Sequence, residues 1–255
     1  MKNVIFMMNV DCKGEGRYAT ERTHGYQYCE KSWRAWADKH GFEVLVMHDP
    51  IHDNDEMSIG WQRYYIHDIL ESNEIDYDQI LMVDADTIVH PDCPNVFELS
   101  DHKFCGVFND GSYDWLYRSI ENYSRYIFKD IKFDWTKYIN TGFMIANKSH
   151  KKIFKTIVDL FWENNESFMK VQNHFLVGSD QTPVNFMLQM QNVDMKLLPY
   201  QFNMVDMFRK EILTGDMLFT KIGWVYHFNA IPQEVKDHYG GMEQLMKRTY
   251  EELWK

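Results

Sequence analysis

Ile80-Leu81-Met82-Val83-Asp84-Ala85-Asp86-Thr87 decides the fold. Four apolar residues read as a buried strand, and the run ends in two carboxylates spaced i, i+2. Side chains alternate faces along a strand, so a strand that stops near Asp84 lets the next turn bring both carboxylates around one point. Two hard oxygen ligands suit Mg²⁺ or Mn²⁺ and leave coordination positions that phosphate oxygens commonly fill. In an open α/β sheet, ligands usually sit at the carboxyl ends of the strands. The plain alternative is a solvated turn, which Asp also favours.

Working outward, strand-like and helix-like segments alternate. Residues 4–8, 42–48, 80–83, 103–108 and 138–147 read as strands, and 196–198 and 224–228 as short late ones. Helices are expected over 25–40 (stopped by Gly41), 57–72 and 113–128. Ser149 is the expected cap of the next helix, and Ser179 or Asp180 of the one running to about residue 191. Residues 242–254 form a closing amphipathic helix with its less polar positions at Met242, Leu245, Met246, Thr249, Leu253 and Trp254. The pattern predicts an α/β fold, a mainly parallel central sheet with helices on both faces, built as one domain over 1–255.

Composition narrows the function classes. At 255 residues and 45% hydrophobic content the chain can bury a substantial core. A net charge of -11 argues against a nucleic-acid partner, whose phosphates need a positive field. Cys12, Cys29, Cys93 and Cys105 form no CxxC pair and no zinc-ligand spacing, so they read as reduced thiols of a cytoplasmic protein. No signal segment is expected at the N-terminus, and no apolar run approaches the ~20 residues of a membrane span.

Four further segments carry chemistry. Asn140-Thr141-Gly142 interrupts a strand, where Gly marks either a bulge or the close approach of a ligand. Asp180, before Gln181, is a helix cap or an active-site carboxylate. His227 sits in the aromatic run Trp224-Val225-Tyr226-His227-Phe228 and is either a core residue or a third ligand for the Asp pair. Arg63 is a surface charge or, beside a diphosphate, an anion partner.

The order of these pieces resembles a GT-A fold glycosyltransferase. It is most similar to the retaining, metal-dependent families that include glycogenin, the bacterial lipooligosaccharide galactosyltransferases and the plant and fungal xylosyl- and galactosyltransferases. The matching segments are Arg63-Tyr64 on the helix before the Asp-x-Asp strand, residues 77–89, the Ile139-to-Phe143 strand, Asp180-Gln181 with Asn185, Leu198-Pro199 with Phe202-Asn203, and His227-Phe228. Trp36-Ala37-Asp38-Lys39-His40-Gly41-Phe42 adds a xylosyltransferase-like helix end. The likeness covers roughly residues 1–230 and divides the domain into a nucleotide-sugar half (1–110), an acceptor and catalytic half (111–230) and a helical tail (231–255).

The resemblance implies transfer of a hexosyl or pentosyl group, with retention, from a nucleoside diphosphate sugar (a UDP-sugar favoured) to a hydroxyl acceptor on a glycan, lipid-linked sugar or protein. It implies that Asp84, Asp86 and His227 hold Mn²⁺ or Mg²⁺. Met8, Asn9 and Val10 would line the nucleobase, Asp84 and Ala85 would help bind the donor, and Arg63 would lie near its phosphates or sugar. Asn140, Thr141 and Gly142 would shape the sugar or acceptor pocket, with Asp180 and Gln181 beside the anomeric centre. The glycogenin-like pattern has a Lys after the His; residues 228–233 have none, leaving Lys236 or Arg248 as substitutes.

Two other readings compete. Asp84-Ala85-Asp86-Thr87 also resembles the short motif of haloacid-dehalogenase-type phosphatases, but two strand–helix units precede it and no late aspartate pair follows. A nucleotide-sugar-binding module without turnover fits the missing Lys. The aromatic segment 112–135 and residues 205–219 are the expected acceptor determinants, and the last helix offers a packing or homodimer face.

Overall fold

The computed structural model describes residues 2–11, 25–109, 111–205 and 218–255. Cys12 and most of 205–219 lie outside the described residues. The strands are β1 (Lys2–Met8), β2 (Glu43–Met47), β3 (Tyr77–Val83), β4 (Thr87–Val89), β5 (Phe104–Phe108), β6 (Ile139–Asn147), β7 (Met195–Leu198) and β8 (Val225–His227). The described helices are α1 (Tyr26–His40), α2 (Ile59–Gln62), α3 (Ile66–Ser72), α4 (Val96–Leu99), α5 (Tyr113–Tyr126), α6 (Lys151–Phe175), α7 (Gln181–Met190), α8 (Gln233–Tyr239) and α9 (Met242–Leu253).

Six strands form one sheet in the order β2-β1-β3-β6-β5-β7, and β4 pairs with β8 in a separate two-stranded ribbon. Only β6 runs against its neighbours, so the sheet is mostly parallel, as the alternation predicts. Strand periodicity sorts the core into two layers. Ile5, Met7, Leu81, Val83, Phe143 and Ile145 face the layer that holds Trp33, Trp36, Leu245 and Met246 of α1 and α9. Val4, Phe6, Ile80, Met82, Met144 and Ala146 face the layer of Trp61, Tyr64, Phe154, Phe161 and Val184.

Several local expectations need correction. The helix expected over 57–72 is broken: α2 ends at Gln62, a 3-10 turn spans Arg63–Tyr65, and α3 begins at Ile66. Gln62 explains the break in part. Its buried amide accepts from the Ile51 and His52 N–H groups and donates to the His52 and Met57 carbonyls, fixing the preceding loop onto the helix end. The cap of α6 is not Ser149. Asn147 accepts from the Ser149 N–H at 2.9 Å, and His150 Nδ1 accepts from the Asn147 N–H at 3.0 Å, so a 3-10 turn at Lys148–His150 precedes the helix. The apolar stripe of α9 packs within the chain, as one of its two expected roles: Leu245, Met246 and Thr249 are buried, Tyr250 packs on Tyr28, and Trp254 Nε1 donates to the Val89 carbonyl. No helix among the described residues is long and apolar enough to cross a membrane. Cys29, Cys93 and Cys105 are buried free thiols.

Asn147→Ala is expected to lower stability by about 1 kcal/mol, because it removes the acceptor of the turn that starts α6. Ser149→Ala is expected to cost less than about 0.5 kcal/mol. Urea denaturation of both variants checks the pair, and an equal or larger loss for Ser149→Ala would refute the assignment.

Candidate metal and nucleotide-sugar site

The turn after β3 is built by Thr87. Its hydroxyl donates to the Asp84 carbonyl at 2.7 Å and accepts from Trp33 Nε1 at 2.9 Å. The Asp84 N–H donates to the Gly142 carbonyl at 3.0 Å, tying the turn to β6. Antiparallel pairing of Thr87 with His227 then sets the imidazole against the two carboxylates. His227 Nε2 lies 3.2 Å from Asp86 Oδ1 and 3.5 Å from Asp84 Oδ2. One ligand atom from each of the three residues falls within 4.8 Å of the others.

Hydrogen bonding around His227 decides which ring nitrogen faces the carboxylates. Asn203 Nδ2 donates to Asn140 Oδ1, so Asn203 Oδ1 is an acceptor, and it meets His227 Nδ1 at 3.0 Å. Nδ1 therefore carries a proton, and Nε2 is the nitrogen that faces the carboxylates, a lone pair whenever the ring is neutral. That Nε2 is buried without a hydrogen-bond partner. An orphaned buried nitrogen aimed between two carboxylates is the arrangement a divalent ion satisfies. The donor set of two carboxylates and one imidazole fits Mn²⁺ better than Mg²⁺. Cys29 lies beneath the turn, its Sγ against the Asp84 carbonyl and the Thr87 hydroxyl, and burial pushes its thiol up to about 12.

Arg63 joins this centre to Asp180. Its Nη1 donates to Asp84 Oδ1 and its Nη2 to Asp180 Oδ2, each at 2.5 Å, and Nη2 also reaches Thr141 Oγ1 at 2.9 Å. Tyr64 OH donates to the same Asp180 oxygen at 2.9 Å, and Ser179 Oγ donates to Asp180 Oδ1 at 3.0 Å. Burial opposes ionisation of Asp180, but the Arg63 guanidinium and the Tyr64 hydroxyl outweigh it and hold the carboxyl below its ordinary range. Asp180 occupies the cap position of α7, yet its side chain makes no cap hydrogen bond, because it is committed to Arg63 and Tyr64.

Asn140, Thr141 and Gly142 do form a bulge. The β5–β6 register shifts so that Val107 faces Asn140 while Gly106 faces Met144. Side-chain amides hold the bulge. Asn185 accepts from the Ile139 N–H at 2.8 Å and donates to its carbonyl at 2.9 Å, and Gln181 Oε1 accepts from the Thr141 N–H at 3.2 Å. A Cβ on Gly142 would lie 2.4 Å from His227 Cε1 and 2.6 Å from Asp84 Oδ2, so glycine there permits close approach of the metal ligands.

A cavity of about 700 Å³ opens beside these groups, within the size range of small-molecule sites. Met8, Arg63, Asp84, Ala85, Asp86 and Asp180 line it. Asn9 and Val10 do not; Asn9 Nδ2 donates to Glu30 and its backbone N–H to the Met47 carbonyl, which turns it toward β2. Gln181, Asn140, Thr141, Gly142 and His227 also lie behind the wall rather than on it. Lys236 and Arg248 are not on the wall, and Arg248 stacks over Tyr239. The sequence reading missed one whole side, Met169, Gln172, Asn173 and Leu176 at the end of α6. Their i, i+3, i+4, i+7 spacing shows a shared helix face, but their residue types carry no chemical signature.

Replacing Arg63 with Met leaves Asp84 and Asp180 facing each other without compensation. A loss of about 3–5 kcal/mol on urea denaturation is expected. The pH dependence follows from His227. Burial disfavours its imidazolium, but Asp86 and then Asp84 overcome this and raise its pKa above the ordinary 6.5. In chelator, the stabilisation from His227 is fully present below about pH 6.5 and is lost as pH rises through the raised folded value. Mn²⁺ needs the unprotonated Nε2, so its affinity is expected to rise over the same window. Denaturation between about pH 6 and 8.5, with EDTA or Mn²⁺, checks both signs. A chelated His227→Gln variant that keeps the wild-type slope would exclude His227 as the cause.

No protein-family model matches the chain, and no curated protein matches it. Solved structures do. A glycosyltransferase involved in the glycosylation of the major capsid of PBCV-1 aligns with a TM-score of 0.61 at 13% identity, over 97% of this chain and 100% of that one. The glycosyltransferase GlyE of Streptococcus pneumoniae TIGR4 aligns with a TM-score of 0.52 at 13% identity, over 98% of this chain and 60% of GlyE. At this identity the likeness is one of fold: the chain has the α/β architecture, with a mostly parallel central sheet flanked by helices, that these glycosyltransferases share.

Proposed function

We propose that the chain is a divalent-metal-dependent glycosyltransferase that moves a sugar from a nucleoside diphosphate sugar, with UDP as the favoured base carrier, to a hydroxyl acceptor. One observation carries this reading: the unpartnered, buried Nε2 of His227 points between Asp84 and Asp86, next to a cavity that those carboxylates line. The likeness in fold to two glycosyltransferases supports it. A divalent ion bound there would supply Lewis-acid and electrostatic stabilisation to the leaving diphosphate.

The protein groups divide the remaining work. Arg63 takes Oδ1 of Asp84 and leaves Oδ2 on the His227 side. Asp180, ionised and fixed by Arg63 and Tyr64, presents negative charge at the cavity wall for a cationic anomeric centre. A carboxylate with a lowered pKa and three strong donors is a poor general base. That favours a stabilising role on the front face, hence retention, over deprotonation of an acceptor in an inverting reaction.

A second reading has its own observation. Among the described lining residues Arg63 is the one cation, and two carboxylates already engage it. A nucleotide-sugar-binding module without turnover would tolerate such a weak diphosphate grip.

A thermal-shift panel of UDP, GDP, CDP, dTDP and ADP, with and without Mn²⁺, followed by donor turnover, separates the readings. The expected result is a Mn²⁺-dependent shift for one base, abolished by Asp86→Ala and by His227→Ala. Asp180→Asn is expected to keep the shift and lower turnover by about 100-fold, the scale of losing one electrostatic stabiliser. Metal-dependent turnover that survives Asp86→Ala would sink the proposal, and binding with no turnover on any donor would favour the binding module. Product anomericity by NMR tests retention.

A further inference from the structure

Away from the cavity, exposed aromatic rings gather at one place. Tyr113 and Tyr117, four residues apart on α5, are 50% and 47% exposed, and Trp135 is 39% exposed. The two tyrosine rings lie close to parallel, with centroids 6.2 Å apart and planes at 27°. Trp135 stands across them, 5.7 Å from Tyr117 at 60° and 6.2 Å from Tyr113 at 78°. Phe108 backs Trp135 at 6.1 Å. Two ion pairs flank the rings, Asp114 with Arg118 and Asp134 with Lys137.

This angled platform stands at the edge of the sheet that carries the candidate site. β5 and β3 run in the same direction with β6 between them, so Phe108 and Asp84 mark the same edge of the sheet. Two strand spacings, about 10 Å, separate the two strands, and Phe108 pairs with Ile139, three residues before the Gly142 whose carbonyl takes the Asp84 N–H. Asn109, next after Phe108, accepts from Asn140 Nδ2 at 3.0 Å. Trp115, on a different face of α5 from Tyr113 and Tyr117, packs so tightly on Gly178 that a Cβ there would lie 2.7 Å from its Cζ2, and Gly178 leads directly into Ser179 and Asp180 of the cavity wall.

We propose that Tyr113, Tyr117 and Trp135 form the acceptor platform and that the acceptor is a saccharide, stacked by the C–H face of its pyranose ring. The inference rests on the transferase reading above. A pyranose offers an apolar face to π surfaces and a hydroxyl rim to neighbouring charged groups, which matches rings bordered by ion pairs. A lipid chain has no hydroxyl rim for those pairs. In the transfer, the acceptor hydroxyl oxygen bonds to the anomeric carbon. The bond from that carbon to the diphosphate oxygen breaks, and the diphosphate leaves with the electron pair and takes the hydroxyl proton.

The test measures saccharide binding directly, with the full chain on a glycan array and by saturation-transfer NMR on the retained glycans. The expected result is retention of a defined set of glycans. Trp135→Ala and Tyr117→Ala should each weaken it about tenfold, ~1.4 kcal/mol, with partial rescue by Trp135→Phe. Trp162→Ala removes an equally exposed ring elsewhere and should leave it unchanged. Circular-dichroism melts establish that the variants fold. No retained glycan, or retention unaffected by both platform variants, overturns the proposal. So does Trp135-dependent binding to phosphatidylcholine–phosphatidylglycerol vesicles in place of glycans. If the platform binds glycans but no nucleotide of the five gives a Mn²⁺-dependent shift, the donor reading fails and the saccharide site stands.

Discussion

The buried guanidinium of Arg63 is the constraint on which the site depends. It bonds two carboxylates from distant parts of the chain, Asp84 after β3 and Asp180 before α7, and also touches Thr141 of the β6 bulge. Without it, the buried Asp180 carboxylate would face the half-buried Asp84 carboxylate with no cation between them, and that cost would fall on the fold. With it, Asp180 stays ionised in a buried position and Asp84 turns one oxygen toward His227. A planar fork can serve two carboxylates at once, which a lysine ammonium does less well. The 3-10 turn at Arg63–Tyr65 places the guanidinium and the Tyr64 hydroxyl on the same Asp180 oxygen.

Around this junction, neutral side-chain amides do the structural work. Asn109, Asn140 and Asn203 form a relay that ends on His227 Nδ1 and so leaves Nε2 as a lone pair. Asn185 and Gln181 hold the bulge from the other side. A charged network in these positions would compete with the metal ligands. Amides satisfy the buried backbone groups without adding charge.

Much of the architecture was legible in the sequence, because its signals are local. Fully apolar runs such as 80–83 mark strands covered on both faces, and Gly41 adopts the left-handed conformation (φ +71°) expected where it stops α1. The pairing of Asp84 and Asp86 with His227 was also anticipated from the order of motifs, and they converge. The expected cap of α6 was not the observed one. Ser149 has cap chemistry, but it lies inside the 3-10 turn at Lys148–His150, whose cap is Asn147. Asn9 donates to Glu30, and Gln181 accepts from the Thr141 N–H, contacts that residue type alone does not reveal. The α6 wall of the cavity was missed because Met169 and Leu176 look like any helix face.

The sequence by itself determined the alternation of strands and helices and the carboxylate turn at the end of a buried strand. These follow from hydrophobic period, turn propensity and residue type, which neighbouring residues alone decide. Only the tertiary structure decided which nitrogen of His227 faces the carboxylates, that Asp180 is clamped rather than capping its helix, and that Arg63 spans both acids. Each of these joins residues far apart in the chain, from Arg63 to Asp180 and from Asn140 to Asn203. Their protonation and orientation are set by partners brought near only when the β4–β8 ribbon and the β6 bulge form.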